Sequence, residues 1–150
     1  PFTLGRWVVV SARSDDAQWA QTQGFVGRDW PLLKQIAGLP GDEICRWDTQ
    51  LLINGKVGGE ARLRDSSGRD LPSWEGCMVL GQDQLFLMNA HPDSLDGRYF
   101  GPVEIHDPCL AVIRDGGVFR HMAAICGERW HGMGQRTRTG KIKGCTYTSI

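Results

Sequence analysis

The apolar residues of this chain come in short runs: Trp7 to Val10, Cys45 to Trp47, Leu51 to Ile53, Met78 to Leu80 and Leu85 to Met88. Twenty glycines and seven prolines in 150 residues punctuate the intervals between them. Runs of three or four residues span a sheet but do not sustain an amphipathic helix, so the pattern predicts a β-rich fold. With 41% apolar residues the chain can bury one ordinary core. No window approaches the roughly 18 consecutive apolar residues of a membrane span. The opening Pro1-Phe2-Thr3-Leu4-Gly5 is neither a signal peptide nor an initiation site, and a preceding segment is expected.

Trp7-Val8-Val9-Val10 is β-branched without polar alternation, as in a strand buried on both faces. Residues 15–24, Asp-Asp-Ala-Gln-Trp-Ala-Gln-Thr-Gln-Gly, combine an acidic start, helix formers and a terminal glycine, which predicts one short helix. Leu51-Leu52-Ile53-Asn54-Gly55-Lys56-Val57 predicts a tight hairpin, because Asn-Gly tolerates the positive φ that both turn positions require. Residues 58–76 are polar and rich in breakers, hence a surface excursion. Strands are expected again over Met78–Leu80 and Leu85–Met88. After a loop at 89–98, extended segments are expected at Tyr99-Phe100 and Val103–Ile105.

Seventeen basic and seventeen acidic side chains leave no net charge, which gives no sign of a nucleic-acid partner. The charge is uneven: residues 1–127 hold twelve basic and sixteen acidic residues, and residues 128–150 hold five and one. Arg129, Arg136, Arg138, Lys141 and Lys143 form a solvated tail or touch anionic lipid or a partner. The five cysteines, Cys45, Cys77, Cys109, Cys126 and Cys145, lack metal-ligand spacing, and one or two disulfides in an oxidising compartment are expected. His91, His106, His121 and His131 show no ligand spacing either; no metal or other cofactor is expected.

Two segments carry possible chemistry. In Leu32-Leu33-Lys34-Gln35-Ile36-Ala37-Gly38-Leu39-Pro40-Gly41-Asp42 a single lysine interrupts an apolar strand. Either its stem lies along the sheet with the ammonium in water, or burial lowers its pKa until the neutral amine can take a proton from a hydroxyl. The second segment is Asn89-Ala90-His91-Pro92-Asp93-Ser94-Leu95-Asp96-Gly97-Arg98-Tyr99-Phe100-Gly101-Pro102. Its small polar residues can orient an amine, and Asp96 with Arg98 can pin the loop as an ion pair.

Together these segments resemble the S26 serine peptidases, the type I signal (leader) peptidases. Residues 34–42 are similar to the stretch around that family's catalytic lysine. Ser94-Leu95-Asp96-Gly97-Arg98-Tyr99-Phe100-Gly101 is similar to its Ser-x-Asp-Ser-Arg-Tyr-Phe/Trp-Gly segment. Gly5-Arg6-Trp7-Val8-Val9-Val10, the Ile53-Asn54-Gly55 turn, and Asp65 to Pro72 ahead of Gly76-Cys77 resemble the conjugative-transfer, TraF-type branch. The resemblance spans residues 4–112. It implies a mostly β, antiparallel signal-peptidase-like fold with at most two short helices. A peptidase domain is expected over 1–127, with a smaller β subdomain near 43–77 and a basic extension over 128–150. Cys45 and Cys77 bracket that subdomain and are the first choice for a disulfide.

The resemblance further implies that Lys34 is the general base, Ser94 orients its amine, and Asp96 and Arg98 support the site. The nucleophilic serine belongs to a Ser-x-Pro segment expected upstream of Pro1 together with a membrane anchor. Ser11 and Ser14 lie beyond the strand that follows that segment, so residues 1–150 alone are expected not to cleave peptides. Two positions depart from the family: Gln35 stands where arginine is usual, and Gly97 replaces a serine and is expected to loosen the loop. The implied function is processing of an exported precursor, such as a leader-bearing conjugative pilin, on the periplasmic side of the bacterial inner membrane. Phe2, Trp7 and Phe25 are candidates for a membrane-facing rim. The rival reading is a periplasmic binding or assembly module that kept the scaffold without catalysis.

Overall fold

The computed structural model of the chain describes residues 2–105 and the backbone of 110–112. The tail at 128–150, Cys109, Cys126, Cys145, His106, His121 and His131 lie outside the described residues. The described residues divide into two compact units, one of residues 2–6 and 34–105, the other of residues 7–33 and 110–112. The architecture is mostly antiparallel β with two short helices, as the family resemblance implies.

In the smaller unit, β1 (Trp7–Val10) pairs antiparallel with β9 (Leu110–Val112), in the register Val9↔Ala111. The three valines are buried, whereas Trp7 is 42% exposed, so burial on both faces holds for Val8 to Val10 and not for the tryptophan. Helix α1 (Asp15–Thr22) starts at Ser14, whose Oγ accepts the Ala17 amide at 3.2 Å, and buries Ala17 and Ala20. Behind its end Phe25 stacks on Trp19, with ring centroids 5.7 Å apart.

The larger unit contains two sheets. In one, β2 (Leu32–Gly38) pairs antiparallel with β7 (Gln84–Met88), which pairs with β8 (Val103–Glu104). The two-residue period of β2 turns Lys34, Ile36 and Gly38 to its buried side. The other sheet has the order β5-β4-β3-β6, from β3 (Glu43–Trp47), β4 (Gln50–Ile53), β5 (Lys56–Glu60) and β6 (Gly76–Val79). Asn54 and Gly55, at φ 50° and 75°, close the β4–β5 hairpin as the Asn-Gly signal predicts. The hairpin extends to Glu60, and so takes in the first residues of the expected surface excursion. Ile44, Leu51, Leu80, Phe86 and Met88 form a core, with Ala37, Ile53, Trp74 and Met78 packed against it.

Tyr99-Phe100 is helical rather than extended. Asp96 sits at the N-cap of a one-turn helix, α2 (Gly97–Phe100), and its carboxylate accepts the Arg98 amide, which overrides the strand preference of the two aromatic residues. Cys45 and Cys77 face each other across β3 and β6 and form a disulfide.

That disulfide closes 32 residues of chain. Reduction should lower the unfolding free energy by roughly 2–4 kcal/mol, through the freedom returned to the unfolded chain. Urea denaturation of oxidised protein against the Cys45→Ala/Cys77→Ala variant measures the difference; superimposed curves would show that the bond carries no stability.

Candidate active site

The loop at 89–100 is organised around one buried ion pair. Arg98 Nε donates to Asp96 Oδ1 at 2.9 Å and Nη2 to Oδ2 at 2.8 Å, and the two side chains are 3% and 0% exposed. The carboxylate also accepts the Arg98 amide at 3.1 Å and the Asn89 amide at 3.0 Å. The remaining guanidinium donors reach main-chain carbonyls, among them His91 at 2.8 Å, Ser94 at 3.2 Å and Glu60 at 3.3 Å. Burial opposes the charge of Arg98, but the hydrogen bond and charge of Asp96 more than offset it and hold the guanidinium above its ordinary value. Removing either partner would strand the other as a buried charge, typically at a cost of about 3–5 kcal/mol.

This loop carries Ser94 to Lys34. Lys34 Nζ donates to Ser94 Oγ at 2.9 Å, and both residues are buried, at 5% and 1% exposure. The ammonium therefore does not reach water. Burial pushes the amine down from 10.5 to about 8; the charge of Asp96 opposes that shift and Arg98 adds to it. At pH 7 such an amine is neutral about a tenth of the time, far more often than an ordinary lysine. An oriented amine of this kind can take a proton from a hydroxyl nucleophile and return it to a leaving amine.

The departures from the family pattern sit differently from expectation. Gln35 is on the opposite side of β2 from Lys34 and donates to Gly5 O at 3.3 Å. Gly97 does not loosen the loop. A Cβ there would lie 2.7 Å from the Phe86 ring and 2.8 Å from Leu87 O, so glycine permits a close approach that serine would obstruct.

Ser11 and Ser14 have local roles. Ser11 Oγ accepts the Arg13 amide at 3.2 Å, and Ser14 caps α1. His91 Nδ1 accepts the Asp93 amide at 3.2 Å within the loop. Phe2 and Phe25 are half-buried and Trp7 is exposed. Among the described residues, no group of three or more His, Cys, Asp and Glu could hold a metal, and no helix is long and apolar enough to cross a membrane.

Three residues not singled out by the sequence reading also hold the loop. Arg46, fully buried, donates through Nη1 to Arg98 O. Trp74 Nε1 donates to Gly97 O at 3.0 Å, and Tyr99 Oη accepts the Arg62 amide at 3.0 Å. The one sequence sign of the first was an arginine set inside the short run Cys45 to Trp47.

A family model described as signal peptidase, peptidase S26, matches residues 2–109. The plasmid transfer protein TraF of Escherichia coli is 35% identical over 96 residues, covering 61% of this chain and 54% of TraF. The chain thus spans about half the length of that curated relative. A crystal structure of a signal peptidase I from Enterococcus faecalis is similar at 18% identity and a TM-score of 0.38, over 75% of this chain and 97% of that one.

The buried amine makes a stability prediction. Between pH 8 and 10.5 the unfolded chain binds a proton at Lys34 that the folded chain has released, so this residue should raise stability as pH climbs through that window. The full penalty, present below pH 8, is at most about 3 kcal/mol. Lys34→Met should therefore be the more stable form at pH 7, and its advantage should disappear by about pH 10.5. Urea denaturation of both forms across this range tests it; a stability difference independent of pH would contradict the buried, lowered amine.

Proposed function

The chain belongs to the S26 signal peptidase family, and we propose that it is the peptidase domain of a Ser-Lys endopeptidase that processes an exported precursor, with Lys34 as general base. The observation that carries this reading is the buried Lys34 amine, pushed down to about 8 and held 2.9 Å from Ser94 Oγ.

We assign the nucleophile to a serine outside the 150 residues, in the Ser-x-Pro segment that the family pattern implies. Lys34 takes the proton of that hydroxyl as its oxygen attacks the scissile carbonyl, then delivers the proton to the departing amine, leaving an acyl-enzyme. Water or a second amine, deprotonated by Lys34, then takes the acyl group, and the proton returns to the serine oxygen. Ser94 orients the amine, while Asp96 and Arg98 hold Ser94 in place. A proton acceptor near 8 suits this cycle because it is strong enough to take a proton and weak enough to return it.

Similarity to a plasmid transfer protein supports a leader-bearing conjugative pilin as the precursor. The substrate would bind as an extended strand at a sheet edge, with shallow pockets for small side chains. The Cys45–Cys77 disulfide supports an oxidising compartment, and the periplasmic face of the inner membrane is the corresponding location.

The test uses a longer chain that carries the serine and follows cleavage of a leader-bearing precursor. Lys34→Met should reduce turnover by at least about 100-fold without lowering the melting temperature, since it keeps the length and apolar stem of lysine. Ser94→Ala should slow turnover less, on the order of tenfold, by misorienting the amine. Asp96→Asn should lower both rate and melting temperature. Near wild-type cleavage by folded Lys34→Met would overturn the proposal and favour a binding or assembly module.

A further inference from the structure

The carbonyl of Arg98 lies in the last turn of α2, where carbonyls have no partner within the helix, and Pro102, four residues on, has no N–H to offer it. Arg46 of β3 fills the position: its Nη1 donates to Arg98 O, and its Nε donates to Asp48 O at 2.9 Å. The neighbouring carbonyl, Gly97 O, accepts Trp74 Nε1 at 3.0 Å in addition to the Gly101 amide. Two donors from residues 43–79 thus hold consecutive carbonyls of the one-turn helix that follows Ser94.

Arg46 is an expensive way to satisfy a carbonyl. It is completely buried, its guanidinium carbon lies 6.0 Å from the centre of the Tyr99 ring, and its Nη2 makes no hydrogen bond. A buried cation with an unpaired donor gives little net stability, and a well-packed apolar side chain commonly does as well. What it supplies is placement. With the Arg98 amide on Asp96 and the Arg98 guanidinium on the loop carbonyls, Arg46 completes a fixation of Arg98 at amide, carbonyl and side chain.

We propose that Arg46 and Trp74 are positioning residues for the Lys34–Ser94 pair, acting through the carbonyls of Arg98 and Gly97. This rests on the reading of Lys34 as the base, and it gives the disulfide-linked sheet a task in the reaction. Asp96 and Arg98 are charges that act on Lys34; Trp74 carries none, so a change in Lys34 titration on replacing Trp74 reports altered placement rather than a lost charge.

The experiment follows the Lys34 side-chain carbon resonance against pH in the 150-residue chain, with melting temperature recorded alongside. In Arg46→Met and Trp74→Phe the midpoint should rise from about 8 by roughly one unit, as the loop relaxes and water reaches the amine, while cooperative melting is retained. Arg46→Lys keeps a donor within reach of Arg98 O and should stay near the wild-type midpoint. Folded Arg46→Met and Trp74→Phe proteins that titrate as the wild type would overturn the inference. If Arg46→Met fails to fold, Trp74→Phe, which loses the donor and keeps an aromatic ring beside Phe86, decides by the same criterion. A wild-type midpoint near 10.5 would instead refute the reading of Lys34 as base.

Discussion

The buried pair of Asp96 and Arg98 is the constraint from which the rest of the site follows. In a loop as polar as residues 89–96, Leu95 is the one buried apolar side chain, so the loop is held chiefly by charge-assisted hydrogen bonds to its own main chain. One carboxylate gathers the Asn89 and Arg98 amides, and one guanidinium gathers the carbonyls of His91 and Ser94. This network carries Ser94 to Lys34. The same carboxylate caps α2 and, through its charge, moderates how far burial lowers the Lys34 amine.

The arrangement holds two cations against the cost of burying them. Lys34 and Arg46 are both buried cations pushed below their ordinary values, chiefly by burial. The offsetting contributions lie nearby: the aliphatic and aromatic core around Phe86 and Leu51, and the disulfide that fixes β3 against β6. Arg46 follows directly on Cys45, so the bond that stabilises the sheet also anchors the strand that bears the strut to Arg98.

Local features of the sequence carried much of the fold. Asn54-Gly55 identified its hairpin because both turn positions demand positive φ, whereas the lysine within an apolar strand left open whether its ammonium reached water and took its role from the family resemblance. Ser94, Asp96 and Arg98 were legible only through family resemblance, since on composition alone their segment is another turn rich in Asp and Ser. Tyr99 and Phe100 misled because their strand preference is weaker than the cap that Asp96 provides. Gly97 misled because its meaning lies in the Phe86 ring beside it, and Arg46 was silent because its acceptor is 52 residues away. What escaped the sequence at Gly97 and Arg46 is a contact between distant segments.

The account stands on Lys34 being the group whose loss of a proton turns the site on. Its most direct measurement is the pH dependence of kcat/KM for precursor cleavage by a chain that carries the nucleophilic serine, since this ratio reports the titration of the free enzyme. The rate should climb about tenfold per pH unit on the acid side and level off above about 8, where the Lys34 amine is neutral. A profile that is flat from about pH 6 upward, or one still climbing through about pH 10, would contradict a buried lysine base of this kind.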